Sequence, residues 1–213
     1  MHIPTYIDLF GFFIFAISGA LAAEDKIKKD VSYDIFSVAF ISFVTSIGGG
    51  TIRDLILGVG PVTWATDGNY LLCIFSGITI AVLFKNELIR LRRTFFLFDT
   101  IGIGLYTILG VQKAQAAGVS LPASMVIGMF SAVMGGVLRD VLINEIPLIF
   151  RKEIYATACL TGAFLYAILH KYGMNELYAS WVGMLSIIII RIIAVKYKLR
   201  IPTLPWLRRK LDE

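Results

Sequence analysis

Between Ile35 and Val59 the only charged residues are Arg53 and Asp54, and they follow directly on Gly48-Gly49-Gly50-Thr51-Ile52. An apolar run of this length is a bilayer-crossing helix, because a hydrocarbon core about 30 Å thick takes roughly 20 residues of helix. Inside lipid every backbone polar group must be satisfied by the segment itself, and a charge is tolerated only where it faces protein or water. The same words return as Gly135-Gly136-Val137-Leu138-Arg139-Asp140, 86 positions later. A glycine-rich backbone beside a membrane-embedded charge pair, present twice, is the constraint that any fold must meet.

Seven runs have the composition of membrane helices: Ile3–Ala23, Tyr33–Leu57, Asn69–Phe84, Thr94–Gln112, Leu121–Ile143, Ile154–His170 and Glu176–Val195. They are continuously apolar, whereas a membrane barrel needs segments of about 10 residues that alternate in polarity. With 57% hydrophobic and 16% charged residues, the chain has too little polar surface to coat a soluble globule. The predicted class is an all-α integral membrane protein with seven transmembrane helices. The first run carries Asp8 and has no basic segment before it, so it is expected to be a helix of the mature chain rather than a cleaved signal. Cys73 and Cys159 form neither a disulfide framework nor a metal spacing, and are expected to be small packing residues.

The repeat extends beyond the glycines. Asp8-Leu9-Phe10-Gly11 and Gly19 align with Asp99-Thr100-Ile101-Gly102 and Gly110 at an offset of 91. Thr45, Gly49, Gly50, Arg53, Asp54 and Pro61 align with Ser131, Gly135, Gly136, Arg139, Asp140 and Pro147 at an offset of 86. Each unit holds three helices, and three is odd, so the second unit enters the membrane from the opposite side. The expected organisation is a first repeat over residues 1–93, an inverted repeat over 94–174, a seventh helix over 175–195 and a basic tail over 196–213. Inverted repeats place functional sites near the midplane where the units meet.

Charge sets the orientation. The first, third and fifth connections and the tail together carry fifteen lysines and arginines, while the opposite side has only Lys113 and Lys171. By the positive-inside rule the N-terminus is expected outside and the C-terminus in the cytoplasm. The net charge of +5 follows from this asymmetry and gives no reason to expect nucleic-acid binding. Arg191, near the end of the seventh helix, is expected to snorkel to the headgroups and act as an anchor. Glu24, Asp25 and Asp30 are expected in a solvated loop.

The chemistry lies in the doubled motif. Each mid-helix glycine costs about 1 kcal/mol of helix propensity relative to alanine. Gly48, Gly49, Gly50, Gly135 and Gly136 therefore serve either close helix packing or a bend or break that frees carbonyls towards a cavity. Adjacent helical residues point about 100° apart, so Arg53 and Asp54 are expected to find partners on different helices. The predicted buried pairs are Asp8 with Arg53 and Asp99 with Arg139, with Asp54 and Asp140 beside them. Thr45 and Ser131, with Ser42 and Ser46 nearby, offer hydroxyls for a polar path, although such hydroxyls also bond back to their own helix. His2 and His170 stand at ends of apolar runs. Neither a catalytic constellation nor a metal or nucleotide motif is present, so an enzyme is not expected and no cofactor is implied.

Two copies of a three-helix unit with Gly-Gly-x-x-Arg-Asp in its second helix, followed by a seventh helix, resemble the bacterial trimeric intracellular cation (TRIC) channels. The resemblance covers residues 5 to 195. It implies a homotrimer in a bacterial cytoplasmic membrane, in contact with membrane lipid, with one pore per subunit for monovalent cations, chiefly potassium. The pore is implied to run beside second and fifth helices bent at Gly48, Gly49 and Gly50 and at Gly135 and Gly136. The second copy has Met134 where the first has Gly48, a departure from strict equivalence. Proteins with the same doubled unit are also described as glycine transporters, so a secondary transporter of glycine or a similar small solute is the alternative reading. In that reading Asp54 and Asp140 are the candidate coupling acids.

Overall fold

The computed structural model describes residues 5–27, 34–84, 94–151 and 154–199. Among them the fold is helical, without strands: α1 Thr5–Ile27, α2 Ile35–Leu57, α3 Gly68–Leu83, α4 Thr94–Ala116, α5 Leu121–Leu142, α6 Ala156–Lys171 and α7 Glu176–Lys196. Single 3-10 turns at Thr63–Ala65 and Leu148–Phe150 follow α2 and α5. By length and composition α1, α2, α4, α5 and α7 can each cross a membrane. Helices α3 and α6 have 16 residues each, about 24 Å at 1.5 Å per residue, and are the short members of their units. Most basic residues behind the predicted orientation, including Lys28, Lys29, Lys85, Arg90, Arg92, Arg93, Lys152 and Arg200, lie outside the described residues, as do Ile3 and Tyr33.

Local sequence fixes the helix ends. Asp34 caps α2, accepting from the Ser37 amide at 2.8 Å and the Ser37 hydroxyl at 2.6 Å. Gly58 ends α2 in the left-handed region at φ 62°, where a glycine carries no Cβ penalty. Asp67 caps α3 and Asn175 caps α7, and Pro122 stands in the first turn of α5, where its missing amide hydrogen leaves no bond unmade. Helix α1 continues past the predicted end at Ala23, carrying Glu24 as a buried helical residue rather than part of a solvated loop.

Small residues bring the helices together. A Cβ on Gly19 would lie 2.6 Å from Ser42 Cα, and one on Gly110 would lie 2.7 Å from Gly128 Cα. Gly19 and Gly110 are repeat equivalents, as are Ser42 and Gly128, so α1 crosses α2 as α4 crosses α5. At the junction of the units a Cβ on Gly49 would fall 2.0 Å from the Ser131 carbonyl oxygen, and one on Gly135 would fall 2.3 Å from that of Thr45. These two contacts are reciprocal, since Thr45 matches Ser131 and Gly49 matches Gly135. Helix α7 packs on α6 through Gly183 and Gly162. Around these crossings lie the buried aromatics Phe12, Phe15 and Tyr106, with Phe12 edge-on to Tyr70 at 4.9 Å and to Tyr106 at 5.9 Å.

Both α2 and α5 stay helical through their glycines. The expectation of an unwound segment with free carbonyls is therefore corrected. Gly48, Gly49 and Gly135 permit backbone approach between α2 and α5, and a continuous helix keeps its carbonyls bonded, which lipid demands. Cys159 is fully buried and Cys73 partly so, both as thiols.

Candidate functional site: two buried charge clusters

Arg53 and Arg139 are 1% and 0% exposed, among the largest fully buried side chains of the fold. Each is held by the aspartate that follows it. Arg53 Nε donates to Asp54 Oδ1 at 2.8 Å, and Arg139 Nε to Asp140 Oδ1 at 2.9 Å. This corrects the expectation that adjacent residues find partners on different helices. The 100° separation applies at the Cα atoms, whereas the long arginine stem carries its guanidinium around the helix to the short carboxylate.

The two aspartates also hold the turns after their helices. Asp54 Oδ2 accepts from the Thr63 amide at 2.9 Å and the Thr63 hydroxyl at 2.6 Å. Asp140 Oδ2 accepts from the Leu148 amide at 3.0 Å. The motif thus joins the end of the glycine helix to the 3-10 turn beyond it, once in each unit.

Beyond these shared features the clusters differ. Around Arg139, Nη1 donates to Asp99 Oδ1 at 2.9 Å and to Ser18 Oγ at 3.1 Å. Asp99 Oδ2 faces Arg191 Nη2 at 3.6 Å, and Arg191 Nε lies 3.3 Å from Thr100 Oγ1. The Arg191 guanidinium stacks over Tyr155 at 4.3 Å and Phe96 at 4.9 Å, and the residue is 1% exposed. Arg191 is therefore not a snorkelling anchor. Asp99 and Asp140 together outweigh Arg139 inside the bundle, so the surplus negative charge draws Arg191 inward, and aromatic faces accept its charge.

Around Arg53 the corresponding acid stands apart. Asp8 Oδ2 accepts from Tyr70 Oη at 3.3 Å, and Asp8 Oδ1 and Arg53 Nη2 are both buried without a hydrogen-bond partner. The predicted Asp8–Arg53 pair is replaced by Arg53–Asp54, with Asp8 left to a tyrosine. Lys113 enters here from α4: its Nζ lies 2.8 Å from Asp54 Oδ1 and donates to Thr63 Oγ1 at 2.6 Å. By sequence Lys113 counts among the charges of the connections, whereas it stands in the last turn of α4. The available signal was its position one helical stretch after Asp99, but the first unit has Ala22 at the equivalent place, so the repeat gave no warning.

Of the predicted hydroxyls, Thr45 donates to the Ile41 carbonyl at 2.6 Å, Ser42 to Val38 at 2.7 Å and Ser46 to Phe12 at 2.6 Å. Ser131 Oγ is buried with no partner. Gly50 and Gly136 are the motif glycines left over from the crossing. A Cβ on Gly136 would meet Tyr155 Oη at 3.1 Å, whereas one on Gly50 would meet nothing closer than Arg53 Nη2 at 3.7 Å.

A bundle of long apolar helices with arginines and carboxylates sealed inside it defines a polytopic helical membrane protein whose charges serve its interior. Sequence comparison makes the class specific. The chain belongs to the family whose model is described as "Glycine transporter", which matches residues 5–86 and 96–171. A UPF0126 membrane protein of Vibrio cholerae is 37% identical over 198 residues, covering 92% of this chain and 81% of that protein. The UPF0126 inner membrane protein YadS of Escherichia coli is 35% identical over 200 residues, covering 93% and 94%. Among solved structures, the TRIC trimeric intracellular cation channel orthologue from Rhodobacter sphaeroides superposes with a TM-score of 0.84 at 32% identity, covering 92% of this chain and 98% of that one.

Proposed function

We propose that this protein is a monovalent cation channel, chiefly for potassium, that works as a homotrimer with one conduction path in each subunit. The observation that carries the reading is the likeness to the TRIC channel orthologue over nearly the full length of both chains. The internal chemistry supports it. Buried arginines matched by carboxylates keep the interior close to neutral, which lowers the barrier to a passing cation. The path runs beside α2 and α5 near Gly50 and Gly136, past the free Ser131 hydroxyl. Asp54 and Asp140 hold the ends of those helices, and Thr45, Gly48, Gly49 and Gly135 set their spacing.

In this reading the chain comprises two inverted three-helix repeats, residues 1–93 and 94–174, followed by the helix over 175–195 and the basic tail over 196–213. It sits in a bacterial inner membrane with the N-terminus outside and the C-terminus in the cytoplasm. A second reading, transport of glycine or a similar small solute, is favoured by the family description.

Purified protein in liposomes separates the two. Unitary potassium currents, reduced by Gly136→Leu, are the expected result. Saturable glycine uptake without unitary currents would replace the channel by the transporter.

A further inference from the structure

Four charges gather at the end of the bundle where α2 finishes: Arg53, Asp54, Lys113 and Asp8. Lys113 Nζ and Arg53 Nε each lie 2.8 Å from Asp54 Oδ1, and Asp8 is within electrostatic reach of both bases. Two acids and two bases sum to zero. At the other end Arg139 and Arg191 balance Asp99 and Asp140 in the same way. The repeat does not dictate this balance, because neither second base has a counterpart in it. Ala22 aligns with Lys113, and Arg191 belongs to α7, outside the two units.

The two second bases differ in access. The Arg191 side chain is 1% exposed, whereas that of Lys113 is 28% exposed and covers Asp54, which is 1% exposed. Among Arg53, Asp54 and Lys113, the lysine is the charge that an ion arriving from solvent meets. Asp54 stands about one turn beyond Gly50 on the same side of α2, so the amine sits at the mouth of the path proposed beside Gly50. Without the lysine this cluster carries one net negative charge, and exposed carboxylates are what cation pores use to concentrate ions.

We propose, resting on the channel reading, that Lys113 decides the valence selectivity of the path: its charge brings the cluster at this mouth to neutrality, so divalent cations find no net negative charge to draw them in. The energy of an ion beside a fixed charge scales with the ion's own charge. A factor gained in potassium entry on losing the amine is therefore squared for a divalent cation. One charge about 6 Å from an ion in water-like surroundings changes its local concentration about threefold.

The test is planar-bilayer recording from the purified full chain, with potassium on one side and barium on the other, for wild type, Lys113→Met and Lys113→Arg. Reversal potentials report the barium-to-potassium permeability ratio, and unitary currents in symmetric potassium report conductance. Lys113→Met should raise both the potassium conductance at low salt and the permeability ratio by about threefold, while Lys113→Arg keeps both at wild type. The gains should shrink as salt is raised, because the field is screened. Altered open probability in Lys113→Met with conductance and permeability ratio unchanged would overturn the proposal and leave Lys113 as a tie between α4 and the turn after α2. The same gains in Lys113→Arg would overturn it too, since that variant keeps the charge. Wild-type protein without unitary currents would overturn the channel reading and the selectivity proposal with it, a failure told from the others by the wild-type trace alone.

Discussion

Gly49 and Gly50 are neighbours in one helix, yet alanine at the two positions should have opposite effects. Both substitutions recover about 1 kcal/mol of helix propensity. At Gly49 the new methyl carbon would sit 2.0 Å from the Ser131 carbonyl oxygen. Ordinary carbon-to-oxygen contact begins near 3.4 Å, so α2 and α5 must separate by roughly 1.4 Å, and neither atom belongs to a side chain that can rotate away. Overpacking of this kind costs about 1–3 kcal/mol or more, and a rigid backbone clash lies at the upper end. The net loss is then about 2 kcal/mol, enough to lower the melting temperature by roughly 4–8 °C if a chain of this size responds at about 2–4 °C per kcal/mol. At Gly50 the methyl group meets atoms at 3.7 Å and beyond, so the propensity gain stands and the variant should melt at or slightly above wild type. Thermal unfolding in detergent, followed by tryptophan fluorescence on matched preparations, measures both. Equal melting of Gly49→Ala and wild type would refute the argument that these glycines exist for helix approach.

The charge clusters yield further expectations. Arg139→Ala leaves Asp99 and Asp140 buried without their main partner and should cost about 3–5 kcal/mol, the penalty for breaking a buried pair, read as loss of folded protein on size-exclusion chromatography. In double-mutant cycles on thermal stability, Asp99 and Arg139 should couple strongly, whereas Asp8 and Arg53 should couple weakly; equal coupling would contradict the different partners found in the two units. Lys113→Met should cost under about 1 kcal/mol, because its side chain is 28% exposed and solvent screens the contact; a larger loss in melting would show that the tie to Asp54 and Thr63 carries the C-terminal end of α4. At the start of α2, the Ser37 hydroxyl and amide hold the Asp34 carboxyl below the usual carboxylate range. A depressed folded pKa gives stability that is fully present above the unfolded value, about 3.9, and is lost as pH falls through the folded one. Asp34→Asn, which caps without titrating, should match wild type at neutral pH and remove this part of the acid dependence, as measured by melting from pH 7 to pH 3.

The class, the number of helices and most of their ends were legible in the sequence, because bilayer thickness, apolar length and capping residues are local quantities. The repeat was legible too, and with it the equivalence of Arg53 with Arg139 and of Asp54 with Asp140. What the glycines do was only half legible. Penalty-bearing residues announce a constraint, but a bend and a close crossing look alike until Ser131 and Thr45 are seen against Gly49 and Gly135. Pairing was least legible, since a guanidinium on a long stem reaches several carboxylates and the choice depends on which helices meet. So Arg53 turned to Asp54, Arg191 left the headgroups for Asp99, and Lys113 closed on Asp54 from a helix 50 or more residues away. Sequence determined that charges must be buried in a helical membrane bundle, because hydrophobic length and residue charge are properties of the chain. Only the tertiary structure decided which charges meet and which acid is left to a tyrosine, because those are properties of distances between helices.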